Sequence, residues 1–281
     1  MCQLLGMNSL KPAQLSFSLA GFLRRGGETD EHADGWGIAA HEEAGRVQLL
    51  IDERPSARSP LAEWAQQNLR LARNVIVHIR KATQGSVASS NCHPFVRSLW
   101  GKEWSFAHNG NLEVAALSRP EYFQPRGQTD SELAFCLLLD ALREQFGEQE
   151  PALAEIHAVL AATSARISAC GTFNFVLSDG EHLFAHRSTD LHYLVRAYPF
   201  GRAHLLDCPL GIDFARTNHP DDRMVILATK PLTDEAWVAL PKESLQVFSG
   251  GRRLEVGVLQ PSPLLKDQVS NAAFFLRMLM D

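Results

Sequence analysis

TDSELAFCLLLDALREQFG, residues 129–147, carries its own start, face and stop. Thr129 or Asp130 can cap the free N–H groups of a helix, Glu132 suits its first turn, and Gly147 closes it. Between them Leu133, Ala134, Leu137, Leu138, Ala141 and Leu142 recur at helical spacing, which predicts a helix over Asp130 to Phe146 with one face against a sheet. A second helix, Pro151 to Ile167, follows directly.

Outward from this helical middle the chain becomes strand-rich in both directions. β-Branched or alternating runs predict strands at Cys2 to Met7, Gly37 to His41, Val47 to Ile51, Val75 to Ile79 and Trp104 to His108. Beyond the helices they recur at Thr172 to Ser178, His182 to His186, Leu191 to Arg196, Val225 to Thr229 and Leu245 to Phe248. Two further helices are expected: Pro60 to Ala72, with Ser59 as cap and Pro60 as first residue, and Lys11 to Leu23. Strand-rich ends around a helical middle indicate a mixed α and β fold in stacked layers rather than a doubly wound parallel sheet.

With 281 residues, 45% of them apolar, the chain can bury a full core, and no linker or repeat separates two. Its 27 basic and 32 acidic residues give a formal charge of −5, and neither sign forms a block suited to phosphates or anionic lipid. Nucleic acid and membrane partners are therefore not expected. The opening MCQLLGMNSLKPAQL is too interrupted for a signal peptide, which predicts a cytoplasmic protein. Cys2, Cys92, Cys136, Cys170 and Cys208 are odd in number, widely spaced and free of CxxC pairs, so neither a disulfide framework nor a zinc ribbon is expected.

Four clusters could carry chemistry. Removal of Met1 would make Cys2 the first residue, with thiol and free amine on one residue. An α-amine titrating near ~8 can take the proton of a thiol near neutral pH, so no histidine base is needed. Alone, Cys2 reads as simply as a residue of a buried first strand. His78-Ile79-Arg80-Lys81-Ala82-Thr83 delivers an arginine at the end of a strand, where it can clamp a carboxylate or make an ordinary surface ion pair. Phe106-Ala107-His108-Asn109-Gly110-Asn111-Leu112 offers a side-chain amide and an unhindered N–H, the two donors of an oxyanion hole. Asn109-Gly110 is equally the sequence of a two-residue hairpin turn. Asp130 can cap its helix or receive a substrate ammonium, and with Arg80 it would hold the amino-acid end of a glutamine.

In order, the N-terminal Met-Cys, the HIRKAT run, the NCHPF turn at Asn91 to Phe95, AHNGNL and TDSE resemble class II glutamine amidotransferases. Asp34-Gly35-Trp36-Gly37-Ile38-Ala39, preceded by His32, resembles the DGWG segment of the smaller stand-alone members, including the γ-glutamyl amidohydrolase branch of the ergothioneine pathway. The resemblance implies an α+β fold, the four-layer αββα sandwich of N-terminal-nucleophile hydrolases, over residues 2–251. Residues 252–281 are then an extension packed on the same domain. It implies Cys2 as nucleophile with its own amine as base, and Asn109 and Gly110 as oxyanion hole. It further implies Arg80 and Thr83 at the substrate, with Arg80 on its α-carboxylate and Asp130 on its ammonium. His93 stays outside the catalytic set.

The expected reaction is hydrolysis of the γ-carboxamide of glutamine, or of a γ-glutamyl compound, through a Cys2 thioester, with no metal and no cofactor. Too few residues follow Gly251 for a synthase core, so the ammonia acceptor is a separate synthase or water. Three rivals remain: a γ-glutamyl conjugate hydrolase that does not use free glutamine, a non-catalytic glutamine sensor if Met1 stays on, and a zinc protein built on Cys92, His93, His78 and His108.

Overall fold

The structure, a computed structural model, describes residues 2–42 and 45–256. In chain order the strands begin with β1 (Gln3–Ala13), β2 (Trp36–His41), β3 (Val47–Asp52), β4 (Ala72–Ile79), β5 (Phe95–Leu99), β6 (Lys102–Leu112), β7 (Gly171–Ser178) and β8 (Leu183–Arg187). They continue with β9 (His192–Ala197), β10 (Arg202–His204), β11 (Gly211–Asp213), β12 (Arg223–Ala228), β13 (Val238–Ala239), β14 (Ser244–Ser249) and β15 (Arg252–Leu254). The helices are α1 (Ser16–Phe22), α2 (Pro60–Asn68), α3 (Asp130–Phe146), α4 (Leu153–Ser168) and the short α5 (Phe214–Thr217). None of them is long and apolar enough to cross a membrane.

Two antiparallel sheets dominate, ordered β13-β9-β12-β1-β4-β2-β3 and β15-β14-β8-β7-β6-β5. Because side chains alternate across a strand, each sheet must bury two faces if it is covered on both. Three apolar clusters meet that demand. Leu5 and Met7 of β1, Val75, Val77 and Ile79 of β4, and Trp36 and Ile38 of β2 pack under α1 and α2. The opposite face of the same strands, with Leu4 and Ile76, meets Ala107, Val176 and Ala185 of the second sheet. The outer face of that sheet, with Trp104, Phe106, Phe173 and Phe175, packs under α3 and α4. The result is the expected α+β sandwich of four layers.

α3 spans the expected residues; Thr129 caps it by accepting the Glu132 N–H at 3.2 Å, and Gly147 ends it at φ 62°. Its burial is wider than one face. Phe135 and Leu139 are buried along with Ala134, Leu138 and Leu142, because α4 covers a second flank. Ser59 and Pro60 start α2 as expected, but it stops at Asn68 and Ala72 already belongs to β4. The helix expected from Lys11 is also shorter. β1 runs through Lys11 and Pro12, its register against β4 shifting between Asn8 and Ala13, and α1 begins only at Ser16. A bulge accommodates Pro12, which has no N–H to give.

β5, in the stretch following the NCHPF turn, was not expected; it pairs with β6 through a hairpin at Trp100 and Gly101, both at positive φ. Arg252–Leu254 forms the edge strand beside β14. The expectations for Met1 and for the extension beyond Val256 lie outside the described residues.

Candidate active site

Cys2 stands immediately before β1. Its side chain is half-buried. The Lys81 N–H donates to Cys2 Sγ at 3.3 Å, and Sγ lies 3.4 Å from the Lys81 carbonyl. Lys81 is held in turn by the DGWG run. Arg80 N–H donates to the Gly35 carbonyl at 2.8 Å, and the Asp34 carboxylate accepts the Ala82 N–H at 2.8 Å. Asp34 thereby fixes the turn that offers its N–H to the thiol, a role its place in the sequence does not announce.

Burial pushes the Cys2 thiol up from its ordinary value, against the Lys81 N–H and the Arg80 charge, which pull it down. A thiol so placed keeps its proton near neutrality unless a base removes it. Burial pushes the Cys92 and Cys136 thiols up to about 11 and about 12, so both keep their protons near neutrality.

Asn109 and Gly110 are not a hairpin turn. β6 runs unbroken through both, Asn109 paired with Asn174 and Gly110 with Phe173 of β7. The Asn109 Nδ2 donates to the Cys2 carbonyl at 2.5 Å and to Thr229 Oγ1 at 3.2 Å. Thr229 Oγ1 also accepts the Leu4 N–H at 2.9 Å, so a single hydroxyl joins Asn109 to the strand that begins beside Cys2. Behind Asn109, Asn174 donates to its carbonyl at 3.0 Å while accepting the N–H groups of Ser188 and Thr189. Thr229 and Asn174 escaped the sequence reading, since neither lies near a motif.

The Gly110 N–H points away from β7. Leu112 N–H, of the same parity on the strand, goes to Asp130 at 2.7 Å, and Phe173 N–H, opposite Gly110, goes to Ser188 Oγ at 2.8 Å. On the other side β5 pairs with β6 only as far as Phe106, so among the described residues no strand takes the Gly110 N–H. A Cβ on residue 110 would lie 1.8 Å from the Thr172 carbonyl oxygen, which only glycine avoids.

Arg80 is buried and wraps a loop around itself. It donates to the carbonyls of Ser86 at 3.0 Å, Gln84 at 2.9 Å and Gly85 at 3.2 Å, so a substrate carboxylate would share the guanidinium with them. Asp130 is buried at the N-terminus of α3, accepting from Leu112 N–H and Ser131 N–H. Thr83 is exposed at the start of the loop, its side chain making no hydrogen bond among the described residues. The ends of β1, β4 and β6 and the start of α3 thus converge, with Cys2 and Asn109 in direct contact.

His78 and His93 face each other at 3.0 Å and are held well below the usual imidazole range by burial. His108 turns to the helix side, with Ser131 Oγ at 2.8 Å and the Thr172 carbonyl at 3.0 Å. Among the described residues no group of three or more His, Cys, Asp or Glu side chains is arranged to hold a metal ion. At the rim, Lys81 pairs with Glu31 and Lys230 with Asp30.

The family profile described as class-II glutamine amidotransferases matches residues 1–271. The chain is 42% identical over 268 residues to a Haemophilus influenzae protein that bears a provisional glutamine amidotransferase name, covering 95% of this chain and 90% of that one. It is 40% identical over 255 residues to YafJ of Escherichia coli, named in the same provisional way, covering 90% and 100%. A crystal structure from Pseudomonas aeruginosa, described as that of a glutamine amidotransferase on prediction, is similar at a TM-score of 0.67 and 36% identity, covering 90% of this chain and all of that one. Glutamine phosphoribosylpyrophosphate amidotransferase of B. subtilis shares the fold at a TM-score of 0.55 and 14% identity, over 92% of this chain and 50% of that one.

Proposed function

Since the chain belongs to the class II glutamine amidotransferases, we propose that it is a cytoplasmic amidohydrolase that cleaves the γ-carboxamide of glutamine with Cys2 as nucleophile. The observation that supports this reading is the bond from the Asn109 amide to the Cys2 carbonyl, one residue before a glycine N–H with which, among the described residues, no strand pairs.

Once Met1 is removed, the α-amine of Cys2 takes the thiol proton, and the thiolate attacks the amide carbon. The carbonyl oxygen becomes an oxyanion, received by Asn109 Nδ2 and Gly110 N–H. Asn109 then exchanges one of its present partners for it, and one such donor is worth about 2.7–4 kcal/mol of barrier. The ammonium formed on Cys2 returns its proton to the departing nitrogen, ammonia leaves, and a γ-glutamyl thioester remains. The same amine deprotonates a water, which attacks the thioester and releases glutamate and the thiol. Arg80 holds the α-carboxylate and Asp130 the α-ammonium, with Thr83 at the loop edge. No metal or cofactor takes part in these steps, and the ammonia passes to water or to a separate synthase.

The test is the intact mass of the purified protein together with glutamate release from L-glutamine, for wild type and Cys2→Ala. Loss of Met1 with Cys2-dependent glutamate is the expected result. Processed protein inert on glutamine but active on γ-glutamyl conjugates would change the substrate, and retained Met1 without activity would make the protein a sensor.

A further inference from the structure

We infer that Asn91 is a positioning residue that sets the spacing between Arg80 and Asp130, and so confines the substrate class to free α-amino acids carrying a γ-amide. This rests on the reading above, in which those two side chains hold the ends of the zwitterion.

Asn91 is 1% exposed, at the end of the short turn Ser89–Asn91 that precedes β5. Its Nδ2 donates at 3.0 Å to the Ser86 carbonyl, the same oxygen that accepts from Arg80 Nη1. Its Oδ1 accepts the Gln128 N–H at 2.8 Å. Gln128 adjoins Thr129, the cap of α3, and Asp130 is the first residue of that helix. One buried amide therefore ties the loop wrapped around the Arg80 guanidinium to the segment that delivers the Asp130 carboxylate.

The two bonds need a donor and an acceptor at once, which an amide supplies and a carboxylate or methyl does not. Gln84 makes a second link across the same loop, to Asn111 and the Leu112 carbonyl, but it ends on β6 and does not reach α3. Neither bond of Asn91 touches Cys2, Asn109 or Gly110. Its loss should therefore weaken capture of the amino-acid end and leave the nucleophile as it was.

Two thiol reagents separate these effects: the diazoketone analogue of L-glutamine, which carries the amino-acid end, and iodoacetamide, which lacks it. In Asn91→Ala the half-saturating concentration of the diazoketone should rise about tenfold, as expected for a buried hydrogen bond. Its maximal labelling rate and the iodoacetamide rate should stay within about twofold, the scatter expected where no contact is lost. Unchanged diazoketone labelling would overturn the inference, and so would an equal fall with both reagents, which would mean that Asn91 merely supports Cys2. Wild type that reacts with iodoacetamide but not with the diazoketone would instead overturn the glutamine reading, and the inference with it. Should Asn91→Ala be insoluble, Asn91→Asp, which keeps the size and the acceptor arm, carries the same comparison.

Discussion

Gly110 has no room for a side chain: an added Cβ would meet backbone, the Thr172 carbonyl oxygen and carbon at 1.8 and 2.6 Å, which cannot swing aside as a side chain could. Gly110→Ala is expected to destabilise the protein by about 1–3 kcal/mol or more and to abolish turnover, as read by thermal melting and glutamate release. A variant of unchanged melting temperature would show that β6 and β7 can part at no cost. Arg80→Lys should raise the glutamine KM by about tenfold or more, because a point charge cannot serve three loop carbonyls and a carboxylate together. An unaltered KM would remove Arg80 from the substrate site. Cys2, Arg80, Asn109 and Asp130 were legible as residue types in order along the chain. Thr229 and Asn174 were not, and Asp34 was legible only as part of the DGWG run, since each acts through a backbone group distant in sequence.

Element ends were legible where a cap marks them, because local chemistry governs there. Ser59 with Pro60, and Thr129 with Gly147, mark true helix boundaries because caps satisfy N–H groups and carbonyls within a few residues. Thr129→Ala should cost about 1 kcal/mol of stability, and because the same helix start carries Asp130, glutamine KM should rise with it. A lower melting temperature with unaltered KM would separate the cap from the site. Strand identity was harder to read. Asn109-Gly110 has the composition of a turn but is held extended by its ladder with β7, whereas the hairpin forms at Trp100-Gly101. β5, a strand of five residues, owes its conformation to pairing with β6 rather than to any pattern of its own.

Across the whole molecule the two sheets are joined by apolar packing and by a few buried polar bridges. His41 of β2 meets Ser105 of β6 at 2.7 Å, and Asn8 of β1 accepts the Gly251 N–H at 2.8 Å. Burial holds His41 at about 4 and His78 and His93 well below the usual range. Unfolding restores ordinary imidazoles near ~6.5, so between that value and about 4 the unfolded chain binds protons that the native protein refuses. This contribution is complete above about 6.5 and is lost as the pH falls toward the folded value. His41 alone should cost about 2 kcal/mol at pH ~5. His182, raised by its pairing with Asp179 against burial, works the other way and offsets part of the loss. Melting temperatures should therefore fall steadily from neutral pH to pH ~5, and His41→Gln should flatten the slope by removing one titrating group. A flat wild-type profile would mean that these imidazoles already carry protons in the folded state.

What the sequence determined by itself was local: amphipathic faces, helix caps, β-branched runs, and the order of five motifs that resemble one family. These depend on neighbours within a few residues, so a linear reading reaches them. Tertiary structure alone decided that β5 leaves β6 unpaired beyond Phe106, that the Thr229 hydroxyl joins β1 to Asn109, and that the Asn91 amide ties the Arg80 loop to the segment leading into α3. Each is a hydrogen bond, or an absence of pairing, between segments far apart in the chain. Strand pairing, loop closure and the packing of one sheet on the other bring them within reach.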